Sequence, residues 1–177
     1  MAIAFFSFAG AACGQGSSRT QMVNQLLQLE SALLKEDKQK VATFFTFPVR
    51  DERLKLKVEY DGEIETVVPL LDKGEFLKHY SRIVPADLLE LFKQLDLTQL
   101  KSKDEVTKTV VPKSKTDFCQ YSYEVSIQGK EVEITFMLNT RDDIKLGEDD
   151  FCAEYAEFWT FEMLNGKLKY KSIEFAG

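Results

Sequence analysis

A chain of 177 residues, 44% hydrophobic and 29% charged, has room for one domain with a real core. Its formal net charge of −6 and the lack of any basic run exclude a nucleic-acid partner, which would need clustered Lys and Arg. No apolar stretch reaches the roughly 20 residues a membrane-crossing helix requires.

The chain opens on Ala2 to Ala12 (AIAFFSFAGAA), small or apolar throughout and uncharged, followed by Cys13-Gly14 and the polar run GQGSSRTQ. An apolar core ending in small residues reads as a secretory signal. Small residues directly before a Cys resemble the lipobox of bacterial lipoproteins, which implies lipidation at Cys13 and export to the cell envelope, periplasmic or lipid-anchored. The alternative is a buried N-terminal strand or helix. Residues 1–19 are therefore set apart as signal-like segment and linker, and residues 20–177 as a single domain. Cys119 and Cys152 remain, an even pair that either forms a disulfide in an exported chain or stays as two buried thiols.

From Thr20 to Lys35, Val23, Leu26, Leu27, Leu33 and Leu34 form an apolar stripe at helical period. Asp37 caps a second helix, KQKVATFF, with Val41, Phe44 and Phe45 inward, and Pro48 stops it. Arg53 to Leu70 reads as a hairpin: Leu54, Leu56, Val58 and Tyr60 alternate, and Asp61-Gly62 marks a turn. Asp72 caps a helix carrying Phe76, Leu77, Tyr80, Ile83 and Val84. After Pro85 a further helix carries Leu88, Leu89, Phe92 and Leu95. His79, the single histidine, is expected to face solvent among Glu75, Lys78 and Arg82. Leu97 to Lys115 reads as a connection with a short strand or turn at Val110-Val111.

Two hairpins follow. The first turns at Gln128-Gly129 and pairs Val125 with Val132, Tyr123 with Ile134 and Tyr121 with Phe136. The second turns at Asn165-Gly166, the dipeptide that best accepts positive φ. It pairs Met163 with Leu168, Phe161 with Tyr170 and Glu162 with Lys169. Trp159 then faces Ser172, and Glu157 meets Glu174, a like-charge pair that a sheet disfavours. The apolar side changes in both strands beyond Trp159, which calls for two covered faces, a sharp twist or a bulge. Between the hairpins, the acidic run NTRDDIKLGEDD lacks calcium-loop spacing, and no motif for a metal or other cofactor is present.

The order of two helices, a hairpin, two helices and a run of antiparallel strands is the α+β pattern. It resembles the cone-shaped α+β roll of nuclear transport factor 2, ketosteroid isomerase and scytalone dehydratase, within the cystatin-like folds. The likeness is carried by the long helix followed by Asp37 and KVATFFTFPV, by the Phe76/Tyr80 helix, and by the closing FWTFEMLNGKLKYKSIEF hairpin. The chain is also similar to small exported envelope proteins of this fold. The resemblance implies N-terminal helices packed on a curved, mainly antiparallel sheet, a pocket between them, and a homodimer through the sheet. In such proteins the pocket serves catalysis in some members and binding in others.

Two functions are open. One is a non-catalytic module binding a small apolar ligand or a protein partner. The other is an acid–base pocket enzyme of isomerase, dehydratase or hydrolase type. Glu157, on the Tyr155/Trp159/Phe161 face, is the candidate acid or base, because a carboxylate among aromatics is held protonated by desolvation. Tyr121, Tyr123 and Tyr170 supply hydroxyls to the same face. The competing reading places Glu157 at a strand end, in water.

Overall fold

The computed structural model describes residues 13–59, 70–113, 118–143 and 152–177, with side chains from residue 18 onward. Residues 1–12 and the Cys13 side chain lie outside it, as do the Asp61-Gly62 turn, the strand expected after it, and most of the acidic run before Cys152. The helices are α1 (Cys13–Leu34), α2 (Lys38–Ala42), α3 (Glu52–Glu59), α4 (Lys73–Lys78), α5 (Tyr80–Ile83) and α6 (Ala86–Gln94), with a 3-10 turn over Leu97–Lys101. The strands are β1 (Glu105–Val110), β2 (Cys119–Gln128), β3 (Glu131–Thr140), β4 (Tyr155–Leu164) and β5 (Lys167–Ala176). They form one antiparallel sheet in the order β1-β2-β3-β4-β5, with the helices packed on it: an α+β domain.

Helix α1 buries Met22, Val23, Leu26, Leu29 and Leu33, the stripe a 3.6-residue period places on one face. It begins at Cys13, so the stretch expected to be a linker is helical backbone instead. Arg19 also belongs to the domain: its Nε donates to Leu100 O at 2.8 Å and its Nη1 pairs with Asp104 at 2.6 Å. Asp37 and Asp72 cap α2 and α4, each accepting a backbone N–H three residues on at 2.9 Å. His79 is buried rather than solvent-facing, and its Nε2 lies 3.1 Å from Glu75 Oε2.

The first arm of the expected hairpin is helix α3 instead. Leu54 and Val58 are both fully buried and Leu56 is exposed. Every second residue being apolar satisfies a strand, but the i, i+4 pair within that alternation satisfies a helix equally well. The Asp51 cap decides the matter: its Oδ1 accepts from Arg53 N at 2.9 Å and Leu54 N at 3.3 Å. At the other end, Arg82 donates to Val58 O at 2.8 Å.

The β2–β3 hairpin keeps its expected faces, but its register is two residues from the one expected. Ile127 pairs with Val132, Val125 with Ile134, Tyr123 with Phe136 and Tyr121 with Leu138. The loop is Gly129-Lys130, with Gly129 at φ +63°, because the first loop position is where the chain needs a residue without a Cβ. In the β4–β5 hairpin, Asn165 and Gly166 both adopt positive φ, and Met163–Leu168, Phe161–Tyr170 and Glu162–Lys169 pair as expected. A bulge follows: Thr160 pairs with Ser172, leaving Lys171 as the extra residue. Past it Trp159 pairs with Ile173 instead of Ser172, and Glu157 with Phe175 instead of Glu174, which removes the like-charge contact.

The free edge of β5 is occupied by the helical layer. Leu168 N donates to Gln25 Oε1 (2.6 Å), Tyr170 N to Phe44 O (2.7 Å) and Ile173 N to Asp51 Oδ2 (3.0 Å). Cys119 and Cys152, left open by the sequence, are bonded, with Cα atoms 5.3 Å apart. The closed loop spans 33 residues, long enough for the link to remove about 3–4 kcal/mol of unfolded-chain entropy.

Between sheet and helices, Phe45 lies 4.6 Å from Phe76 and 4.8 Å from Tyr170, ring centre to ring centre. Only about 10 Å³ of void remains among Leu29, Phe45, Phe92, Trp159 and Phe161. Phe161 is therefore packed core and not a pocket wall. Phe161→Ala is expected to lower stability by about 3–5 kcal/mol through lost burial and an unfilled cavity. A urea melt measures this, and an unchanged midpoint contradicts the packing described.

Candidate functional site

Past the bulge, the inward face of β4 presents Tyr155, Glu157 and Trp159 at alternate positions, as the two-residue strand period dictates. Glu157 lies between Phe136 on β3 and Phe175 on β5 in the register. It is buried, at 6% exposure, so the strand-end reading fails. Helix α3 delivers Lys57 onto the same spot, because the Asp51 cap holds the start of that helix against β5. Tyr170 Oη and Ile173 N both donate to Asp51 Oδ2, at 2.8 and 3.0 Å.

Three donors meet the Glu157 carboxylate. Lys57 Nζ and Trp159 Nε1 each donate to Oε1 at 2.5 Å, and the Tyr155 hydroxyl donates to Oε2 at 2.6 Å. The Lys57 ammonium also sits 5.2 Å from the centre of the Trp159 ring and 5.7 Å from that of Phe175, in cation–π range. Burial pulls the Lys57 ammonium below the ordinary lysine range, and the Glu157 charge and hydrogen bond oppose that shift. Burial and the neighbouring carboxylate push the Tyr155 hydroxyl well above the ordinary tyrosine range. Burial, with Asp51 second, does the same at Tyr170.

In front of this cluster lies a cleft of about 490 Å³ lined by Arg53, Leu56, Lys57, Tyr155 and Phe175. Leu56 and Phe175 present 59% and 42% of their surface, an apolar wall open to solvent. Arg53 stands at the rim, 3.1 Å from Glu174. Glu157 does not line the cleft; it stands behind Lys57 and Tyr155 and fixes both.

The expected pocket residues are only partly gathered here. Glu157 and Trp159 form the back of the cluster. Tyr170 packs edge-on against Trp159 (5.9 Å) and Phe161 (5.9 Å) and points its hydroxyl at Asp51, not into the cleft. Tyr121 and Tyr123 lie along the sheet against Phe136, at 6.1 and 5.8 Å. Phe136 in turn lies 6.3 Å from Tyr155. Burial raises the Tyr123 hydroxyl to about 12. Lys57, Arg53, Leu56 and Phe175 were missed. The first three sit on a helix read as a strand, and the bulge turns Phe175 to the inner face. Among the described residues, no three His, Cys, Asp or Glu side chains converge as metal ligands.

These elements make an α+β domain with an apolar cleft over a buried ion pair. No family model matches the chain, and no curated protein matches it. Among solved structures it is similar to a Streptomyces avermitilis protein described as a "putative dehydratase from the NTF2-like family". That likeness has 11% identity and a TM-score of 0.32, and covers 91% of this chain and 95% of that one.

Removing one member of a buried ion pair leaves the other uncompensated, so Glu157→Gln is expected to cost about 3 kcal/mol of stability. Adding Lys57→Met is expected to recover much of that loss, since the stranded ammonium is gone. Urea denaturation of the two single variants and the double variant measures the coupling. Additive losses would show that the two groups do not depend on each other.

Proposed function

We propose that the chain is a pocket-bearing binding module of the nuclear transport factor 2-like kind, holding a small apolar ligand in the cleft of Arg53, Leu56, Lys57, Tyr155 and Phe175. The observation that carries this reading is the state of Glu157. Its two oxygens are taken by Lys57, Trp159 and Tyr155, and it stands outside the cleft lining. A carboxylate so engaged holds its neighbours in place and stands apart from the residues a ligand in the cleft would touch. The open wall of Leu56 and Phe175 supplies the hydrophobic contact, and Arg53 and Lys57 favour an anionic end.

The protein has one tryptophan, Trp159, directly behind Lys57. Its emission therefore reports on the cleft. Titration with 1-anilinonaphthalene-8-sulfonate, an apolar anion, is expected to quench Trp159 saturably. Leu56→Asp is expected to weaken that binding at least tenfold without unfolding the chain, because Leu56 is exposed. Absence of saturable quenching, or binding untouched by Leu56→Asp, would remove the reading.

One observation favours the enzyme alternative. Lys57 and Tyr155 do line the cleft, and both are tuned away from their ordinary proton affinities. Under that reading Tyr155→Phe would abolish turnover of a bound ligand, while under the binding reading it leaves affinity within a few-fold.

Export through Cys13 belongs to the same proposal, supported by AIAFFSFAGAAC. Among the described residues no helix is long and apolar enough to cross a membrane. Labelled palmitate fed to a bacterial host expressing the chain is expected to label it, and Cys13→Ser to abolish the label. An unlabelled protein retaining Met1 would reject this.

A further inference from the structure

On the side of the molecule where the N-terminal helices meet the start of β5, a second cleft of about 490 Å³ gathers Lys40, Lys73, Lys167 and Lys169. The chain carries 29 carboxylate residues against 23 Lys and Arg, yet among the described residues no Asp or Glu lines this cleft. Four other surface lysines, Lys55, Lys78, Lys93 and Lys171, each pair with a glutamate. Here Lys40, Lys73 and Lys167 make no side-chain ion pair or hydrogen bond among the described residues.

Two carboxylates near these lysines in the chain serve as helix caps. Asp37 caps α2 and Asp72 caps α4, each through Oδ1 at 2.9 Å. Glu162 lies across from Lys169 in the register. Lys169 donates to Thr43 O at 2.6 Å and Phe45 O at 3.4 Å, so it ties β5 to the end of α2. Its ammonium is held below the ordinary lysine range by burial first and by the charge of Lys167 second. The two ammoniums of Lys167 and Lys169 thus repel each other at the edge of the cleft. Phe44, Phe45 and Phe47 form an apolar floor beneath it, of which Phe47 is the part-exposed member.

We propose that this cleft binds a phosphate monoester, its dianion set among Lys40, Lys73 and Lys167 and its organic body against Phe47. Lysine ammoniums serve phosphate as point charges, and three of them suit a dianion better than a single carboxylate. The site is independent of the apolar cleft, so either can fail without the other.

The test is an NMR titration of ¹⁵N-labelled protein with phenyl phosphate. Saturable shifts are expected at the amides of residues 40–47, 73 and 167–169, with weaker response of the same amides to inorganic phosphate. The triple variant Lys40→Gln/Lys73→Gln/Lys167→Gln is expected to weaken phenyl phosphate at least tenfold. All three side chains are exposed, so the fold persists, which circular dichroism checks. The Leu56→Asp variant is expected to bind phenyl phosphate as the parent does. Phosphatidic acid vesicles that pellet the parent and not the triple variant would assign the same monoester chemistry to a lipid headgroup. Shifts scattered over the surface, or equal affinity in the triple variant, overturn the proposal.

Discussion

The outer edge of β5 is the constraint on which the rest of the molecule depends. An unpaired sheet edge invites a second chain. Here three of its amides are satisfied from the helical layer: by the Gln25 side chain, the Phe44 carbonyl and the Asp51 carboxylate. Those contacts do more than blunt the edge. Gln25 sets α1 along the sheet, Phe44 seats the aromatic core, and Asp51 starts α3 at the height that carries Lys57 to Glu157. One carboxylate thus accepts from two amides of a helix and from two groups of a strand. Part-buried polar atoms satisfied on both sides in this way fix position as well as energy.

Much of the architecture was legible in the sequence, and the gaps have physical causes. Asn165-Gly166 and the matched pairs around it gave the last hairpin its register, because two positive φ angles and one apolar face leave few alternatives. Asp37 and Asp72 announced their helices for the same local reason. The α3 segment went the other way. Leu54 and Val58 fit both periods, and the arbiter, Asp51, works partly through Tyr170 and Ile173 far along the chain. A two-residue slip in the β2–β3 register changes no face, so hydrophobic pattern alone had nothing to object to. His79 was placed by its charged sequence neighbours, while its burial is set by tertiary packing.

The candidate site was half legible. The carboxylate among aromatics at Glu157 follows from strand alternation. Its cation does not, since Lys57 comes from a helix 100 residues away. A sequence can show that a buried charge needs a partner without showing which of its lysines arrives. The two clefts share one electrostatic theme: on an acidic chain, the concave surfaces carry the cations, Arg53 and Lys57 in one, four lysines in the other.

The bulge at Lys171 gives the closing strand two reading frames. Before it, even-numbered residues of β5, Leu168 and Tyr170, face the helices; after it, odd-numbered ones do, Ile173 and Phe175. The strand therefore cannot be compared with a regular strand of another protein without a one-residue gap. Aligned straight through, its last residues would seem to carry a glutamate where the fold places an aromatic ring, and the wall of the cleft would vanish from the comparison. Deletion of Lys171 would turn the strand into one of regular alternation and keep Ile173, Glu174 and Phe175 on their present faces, so the bulge is an insertion that the two reading frames absorb.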